Sequence, residues 1–364
     1  MRLPLLLVLL ALRSLGDGEL DPQDAQARLR AGQEKLKVRD FDGAIPEFEK
    51  CLELAPEEFN ASFGLGVCFW EKERYEASRA QFRRVVDAVE RRTPGAALTG
   101  VHQKLLGCAL LLEDFDEAIR EATLLLQSQE RAEYFYDRAL ARQRKGDLNG
   151  ALEDSAAAIR EDPQMVKARA LRASIVLARG DAATALGEFD EARKAKPSDP
   201  GVPFARACAL LLQGRDAEAL ADLRASLKLN QGLSGDLELE AAARALVWIA
   251  ERGAGRAGAA AEELRAFQAT LKDLGKDPRK NHLLCLPLYL GDALPQADLI
   301  RAAEGAVCRP AQARCEAWTY IGERKRIDGD KAAARSAFQA ALETGARGTF
   351  EYDLAQRRLK DLPP

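Results

Sequence analysis

A thirty-four-residue period constrains this chain more than any other feature. Gly146, Gly180 and Gly214 recur at that interval, as do Ala139, Ala173 and Ala207. Ala151, Ala185 and Ala219 keep it too, and so do Pro163 and Pro197. A period of this length belongs to a helical hairpin stacked on copies of itself. Small residues fall where two helices approach closely, glycine closes the first helix, and proline stops the second. One such hairpin cannot bury its own apolar face, so its neighbours must cover it. The spacing predicts three regular units at 132–165, 166–199 and 200–233.

Weaker copies flank them. A unit at 25–58 has the tight pair Ala31-Gly32, a turn at Asp40-Phe41-Asp42, and the inner stripe Ala44, Phe48, Cys51. Spacings of four and three place that stripe on one face of a helix. Units at 59–93 and 99–130 carry Leu65-Gly66 and Leu106-Gly107 in the corresponding place. Six repeats therefore cover 25–233, after a short leader at 17–24. Regularity loosens after Gln231, and 234–310 reads as irregular hairpins. The pattern returns at 311–345 with Trp318, Gly322, Gly329-Asp330, Ala334, Phe338 and Ala341. Residues 346–364 read as a final helix and tail, with Arg357, Arg358 and Lys360 as the polar cap of a stack.

These residues and spacings resemble the tetratricopeptide repeat (TPR) family. The resemblance implies an all-α protein, a right-handed α-solenoid of stacked TPR helical hairpins. It also implies a concave groove lined by the first helix of each repeat, holding a protein or peptide ligand. The inward places carry Leu29 and Gln33, then Phe63, Val67 and Trp70, then Glu133, Tyr136, Leu140 and Gln143. Repeats five and six add Lys167, Ala170, Ser174, Cys208 and Leu211. The lysine and asparagine carboxylate clamp of chaperone-cofactor members is not present as a pattern. Phe63, Trp70, Tyr136, Lys167 and Leu211 are the candidate partner contacts. Inner-face and inter-repeat positions adjoin, so packing of Phe63, Trp70 and Tyr136 against neighbouring helices is the competing reading. A second resemblance rests on Cys315-Glu316-Ala317-Trp318, Gly329-Asp330, Phe338, Ala341 and Phe350-Glu351-Tyr352. This part is similar to the ends of bacterial exported TPR proteins, including lipoprotein adaptors, although the lipid-bearing cysteine is absent.

The N-terminus points to export. Met1-Arg2 precedes an uncharged run from Leu3 to Leu12, and Ser14-Leu15-Gly16 offers small residues where a signal peptidase reads. Residues 1–16 are thus expected to be a signal peptide, and the mature chain to begin near Asp17 in a secreted or periplasmic setting. The apolar run is too short for a stable membrane anchor. Seven cysteines leave at least one unpaired. Cys51, Cys68, Cys108 and Cys208 stand where the repeats want small residues, which suits buried thiols. Cys308 and Cys315 are the disulfide candidates, provided Pro310 breaks the helix between them.

Little in the sequence speaks for chemistry. A net charge of −3 gives no electrostatic case for nucleic acid. His102 and His282 are the only histidines and stand far apart, so each reads as solvated or capping. No catalytic, cofactor or metal site is expected. Gly253-Ala254-Gly255-Arg256-Ala257-Gly258 matches the glycine spacing of dinucleotide loops, which needs a preceding strand. The segment before it, Leu237 to Glu251, is long and alanine-rich, so the glycines read as a turn between helices. The main expectation is an exported adaptor. The alternative is an enzyme or cofactor-binding protein using 232–310.

Overall fold

The computed structural model describes residues 22–93, 98–232, 236–273, 277 and 281–363. The predicted signal peptide, its cleavage site and most of the leader lie outside them. Among the described residues every regular element is a helix, and none is long and apolar enough to cross a membrane. Two compact units divide the chain, residues 1–108 and 109–364.

The first unit contains α1 (Pro22–Lys37), α2 (Phe41–Leu54), α3 (Phe59–Glu71), α4 (Tyr75–Arg92) and the start of α5 (Thr99–Leu111). Aromatic rings fill the gaps left by glycines on neighbouring helices. Phe48 of α2 is fully buried between Gly32 of α1 and Gly64 of α3. A Cβ at Gly32 would lie 2.6 Å from that ring, so only glycine lets the backbones close over it. Phe82 of α4 lies against Gly66 in the same way.

The second unit continues with α6 (Phe115–Ser128), α7 (Ala132–Lys145), α8 (Leu148–Glu161), α9 (Val166–Ala178), α10 (Ala182–Ala195), α11 (Gly201–Gln213) and α12 (Asp216–Gly232). Then follow α13 (Leu237–Gly253), α14 (Ala257–Asp273), α15 (His282–Leu290), α16 (Gln296–Glu304), α17 (Pro310–Ile327), α18 (Lys331–Glu343) and α19 (Phe350–Asp361). The periodic alanines are its contact points. Ala139, Ala173, Ala207, Ala151, Ala185 and Ala219 are each 0% exposed. Gly146, Gly180, Gly214 and Gly329 turn the chain with positive φ. Arg39, Glu73 and Glu113 adopt the same left-handed conformation without being glycine, which is why these turns are muted in the sequence. Aspartate side chains cap many of the second helices. Asp40, Asp114, Asp147, Asp181 and Asp330 each accept an N–H from the residue three places on.

Two expectations change. Pro310 does not break a helix but opens one, at the position where its missing N–H costs nothing. Only Cys315 is therefore helical, and both Cys308 and Cys315 are free thiols. Cys315 is buried with Ala334, Phe338 and Ala355, and burial pushes its thiol up to about 12. Arg358 of α19 donates to the fully buried Glu323 of α17 at 2.5 Å, and Arg357 lies beside Gly214 at the end of α11.

Candidate functional site

Within the second unit the C-terminal helices dock against the first helices of the central repeats. The junction begins at the turn after α5. Arg309 donates its backbone N–H to Leu111 O at 2.7 Å. The Glu113 carboxylate then accepts the N–H groups of Ala311 at 2.6 Å and Gln312 at 3.1 Å. Those are orphan donors in the first turn of α17, and an anion there is favoured by the helix dipole. Further along, Arg144 of α7 donates to Gln312 Oε1 at 3.1 Å, and Gly348 lies against the Gln143 side chain. The contact continues into one apolar core, where Cys208 and Leu211 of α11 cluster with Ala313, Ala317, Tyr320 and Ile321 of α17.

The docking leaves a cavity of about 390 Å³. Phe204, Leu239, Leu283, Leu286 and Phe350 supply apolar wall, and Arg144, Gln312, Glu316 and Glu351 supply polar wall. Glu316 is fixed on both oxygens, by Gln312 Nε2 at 2.8 Å and by His282 Nε2 at 2.5 Å. His282 is therefore paired and half-buried, not solvated. Burial, helped by the nearby Glu316 and opposed by Arg144, pushes the Glu351 carboxyl up to about 8. Burial likewise lowers Arg144 from the usual guanidinium range.

A second group lies on the first helices of repeats four and five. Tyr136 of α7 is half-buried, with the Lys167 ammonium of α9 4.6 Å from its ring centroid. Asp137 stands beside it. Burial pushes its carboxyl up to about 6, against the pull of Lys167.

The structure thus brings together two of the sequence candidates, Tyr136 and Lys167. Leu211 is 3% exposed and covered by the C-terminal helices, so it presents nothing to a partner in this arrangement. Phe63 and Trp70 lie in the first unit on α3. Phe63 is 39% exposed and meets Phe82 of α4 edge-on at 5.7 Å. Trp70 meets Tyr75 of α4 edge-on at 5.4 Å and covers Gly107 of α5. Sequence reasoning missed Asp137, Arg144, His282, Glu316 and Glu351. They come from four helices, and no spacing along the chain links them. The glycine run at 253–258 spans the end of α13, the turn and the start of α14, and so follows a helix rather than a strand. Among the described residues no group of three or more metal-ligating side chains is assembled.

Comparison with known proteins finds tetratricopeptide repeats in part of the chain. Residues 29–97 and 136–200 match the family model described as a tetratricopeptide repeat. Among solved structures, the chain is similar to YrrB, described as a TPR protein with an unusual peptide-binding site. That match has 20% identity over 51% of this chain and 91% of that one, with a TM-score of 0.43. A structure of MamA matches at 17% identity over 49% of this chain and 94% of its own, also with a TM-score of 0.43. MamA from Desulfovibrio magneticus RS-1 matches at 15% identity over 50% and 97%, with a TM-score of 0.43. No curated protein matches the sequence.

Proposed function

We propose that this tetratricopeptide repeat protein is a non-catalytic scaffold that holds a segment of another protein against the open inner face of α7 and α9. The observation that carries this reading is Asp137. Asp137 is half-buried beside Tyr136 and Lys167, yet it makes no hydrogen bond or close ion pair with the described residues. A carboxylate in that state is costly to the fold alone. An N–H or cation from a bound chain would satisfy it, while the Tyr136 ring supplies apolar contact. Capture with the wild-type chain and with Asp137→Lys and Tyr136→Ala, all checked for folding by circular dichroism, tests the proposal. Proteins retained by the wild type and lost by both variants support it. Equal retention by all three removes this face as the binding site.

The scaffold acts outside the cytoplasm. The apolar run at Leu3–Leu12 and the Ser14-Leu15-Gly16 site support this, as does the C-terminal resemblance to exported adaptors. N-terminal sequencing of the protein expressed from its full-length gene should find Asp17 first, and retention of Met1 refutes cleavage.

A further inference from the structure

Two ionisable groups, Arg144 and Glu351, face the cavity between α7, α11, α13, α15, α17 and α19 with little to satisfy them. Arg144 carries five N–H donors, and its side-chain partner is the single neutral oxygen of Gln312. Glu351 makes no side-chain hydrogen bond to another residue and no ion pair. Each feels the other's charge, yet they are not close enough to pair. Space therefore lies between an underused cation and an underused acid. Phe204, Leu239, Leu283, Leu286 and Phe350 form an apolar part of the wall, and Asp236, Glu238 and Glu316 add further acids to the lining. The volume, about 390 Å³, falls at the small end of metabolite pockets.

We propose that this cavity binds a free α-amino acid with an apolar side chain. The carboxylate of the ligand meets the Arg144 guanidinium, its ammonium meets Glu351, and its side chain enters the apolar part of the cavity. A ligand with one charge leaves the opposite group unsatisfied. A pure cation faces Arg144, and a pure anion faces the fixed carboxylate of Glu316. A zwitterion matches both ends. The site uses none of Tyr136, Asp137 and Lys167, so either reading stands or falls without the other.

The charged and titratable surroundings of Glu351 are these. Arg144 comes from α7, Cys208 from α11, Cys315, Glu316 and Tyr320 from α17, and Asp353 from its own helix. Asp236 and Glu238 come from the start of α13, and His282 of α15 acts through Glu316. With its carboxyl pushed up to about 8, Glu351 holds its proton at neutral pH, and pairing with an ammonium requires the carboxylate. Affinity must then rise with pH. Between pH 7 and 8.5 the ionised fraction of a carboxyl pushed up to about 8 grows roughly eightfold.

Calorimetric titration of the full chain with L-leucine, L-methionine and L-phenylalanine tests the site, using N-acetyl-L-phenylalanine and phenylalaninamide as singly charged controls. At least one of the three amino acids should bind saturably, at least tenfold tighter than either control. Its affinity should climb several-fold from pH 7 to 8.5. Glu351→Gln should flatten that pH dependence, and Arg144→Gln should remove the preference for phenylalanine over its amide. Circular dichroism confirms that both variants fold. If none of the three amino acids binds at millimolar concentration, or if a control binds equally well, the proposal is wrong.

Discussion

Arg138 grips Asp154 with a guanidinium fork, Nε to Oδ2 at 2.8 Å and Nη2 to Oδ1 at 2.7 Å. Arg142, one turn on, donates to the same Oδ2 at 2.8 Å. The pair joins α7 to α8 and recurs with the period of the repeat. Arg172 meets Glu188 at 3.2 Å, and Arg206 meets Asp222 at 2.7 Å. Arg206 also reaches back to Asp190 of the preceding hairpin at 2.7 Å, so the ladder links repeats as well as helices.

Asp154→Ala should therefore be severe. The side chains of Asp154 and Arg138 are 5% and 15% exposed, so removing the acid strands two guanidinium groups in a poorly solvated place. Breaking such a pair costs about 3 kcal/mol or more. The loss should be read by urea denaturation monitored by circular dichroism. A change below about 1 kcal/mol, the range of exposed pairs, would show that the ladder is solvated in practice.

Ala173→Leu should cost about 1–3 kcal/mol, and more if the hairpin splays. Ala173 is 0% exposed and packs with Ala185, Phe189 and Ala209, where α9 meets both its own partner helix and the next repeat. There is no direction in which three further carbons can go. An unchanged denaturation midpoint would contradict this contact.

Legibility of the fold follows from which constraints repeat. Ala139, Ala173 and Ala207 show their meaning because the same close approach is needed three times. The Arg138, Arg172 and Arg206 ladder has the same spacing, but charged residues on helices are usually solvated, so spacing alone does not mark them as buried. The docking of α17 onto the central repeats was not readable. It depends on Glu113 reaching Ala311, 198 residues away, and one unrepeated pair leaves no pattern. The candidate site divides along the same line. Tyr136 and Lys167 followed from repeat register, whereas Arg144, Glu316 and Glu351 meet only once the C-terminal helices are in place. Leu211 was assigned to the groove because register alone does not reveal what covers it.

Trp70→Ala should lower stability directly. The ring lies edge-on to Tyr75, receives the Lys104 ammonium at 4.5 Å, and fills the space above Gly107. Truncating a half-buried tryptophan in such a contact costs about 2–3 kcal/mol, below the range for a fully buried one. A binding role predicts a different pattern, with the thermal midpoint unchanged and the affinity for a captured partner reduced at least tenfold. Measuring both on the same variant separates the two.

Stability should fall as pH rises from 6 to 8.5, and Glu351 should be the main reason. Its folded-state carboxyl is pushed up to about 8 from a model-peptide value of 4.5. An acid whose pKa is raised by folding binds more protons in the native state than in the unfolded state between those two values. Stability from this group is therefore greatest at low pH, declines as pH climbs toward 8, and levels off above it. Asp137 and Asp353 are also raised, each to about 6, so their contributions fall mostly below pH 6. The window from pH 6 to 8.5 consequently isolates Glu351 among these three acids. Glu351→Gln keeps the shape and removes the titration. Thermal midpoints of the variant should stay nearly level across that window and exceed the wild type at pH 8.5. A wild-type midpoint that does not fall, or a variant that falls just as steeply, would mean that Glu351 ionises freely and that its carboxyl is well hydrated.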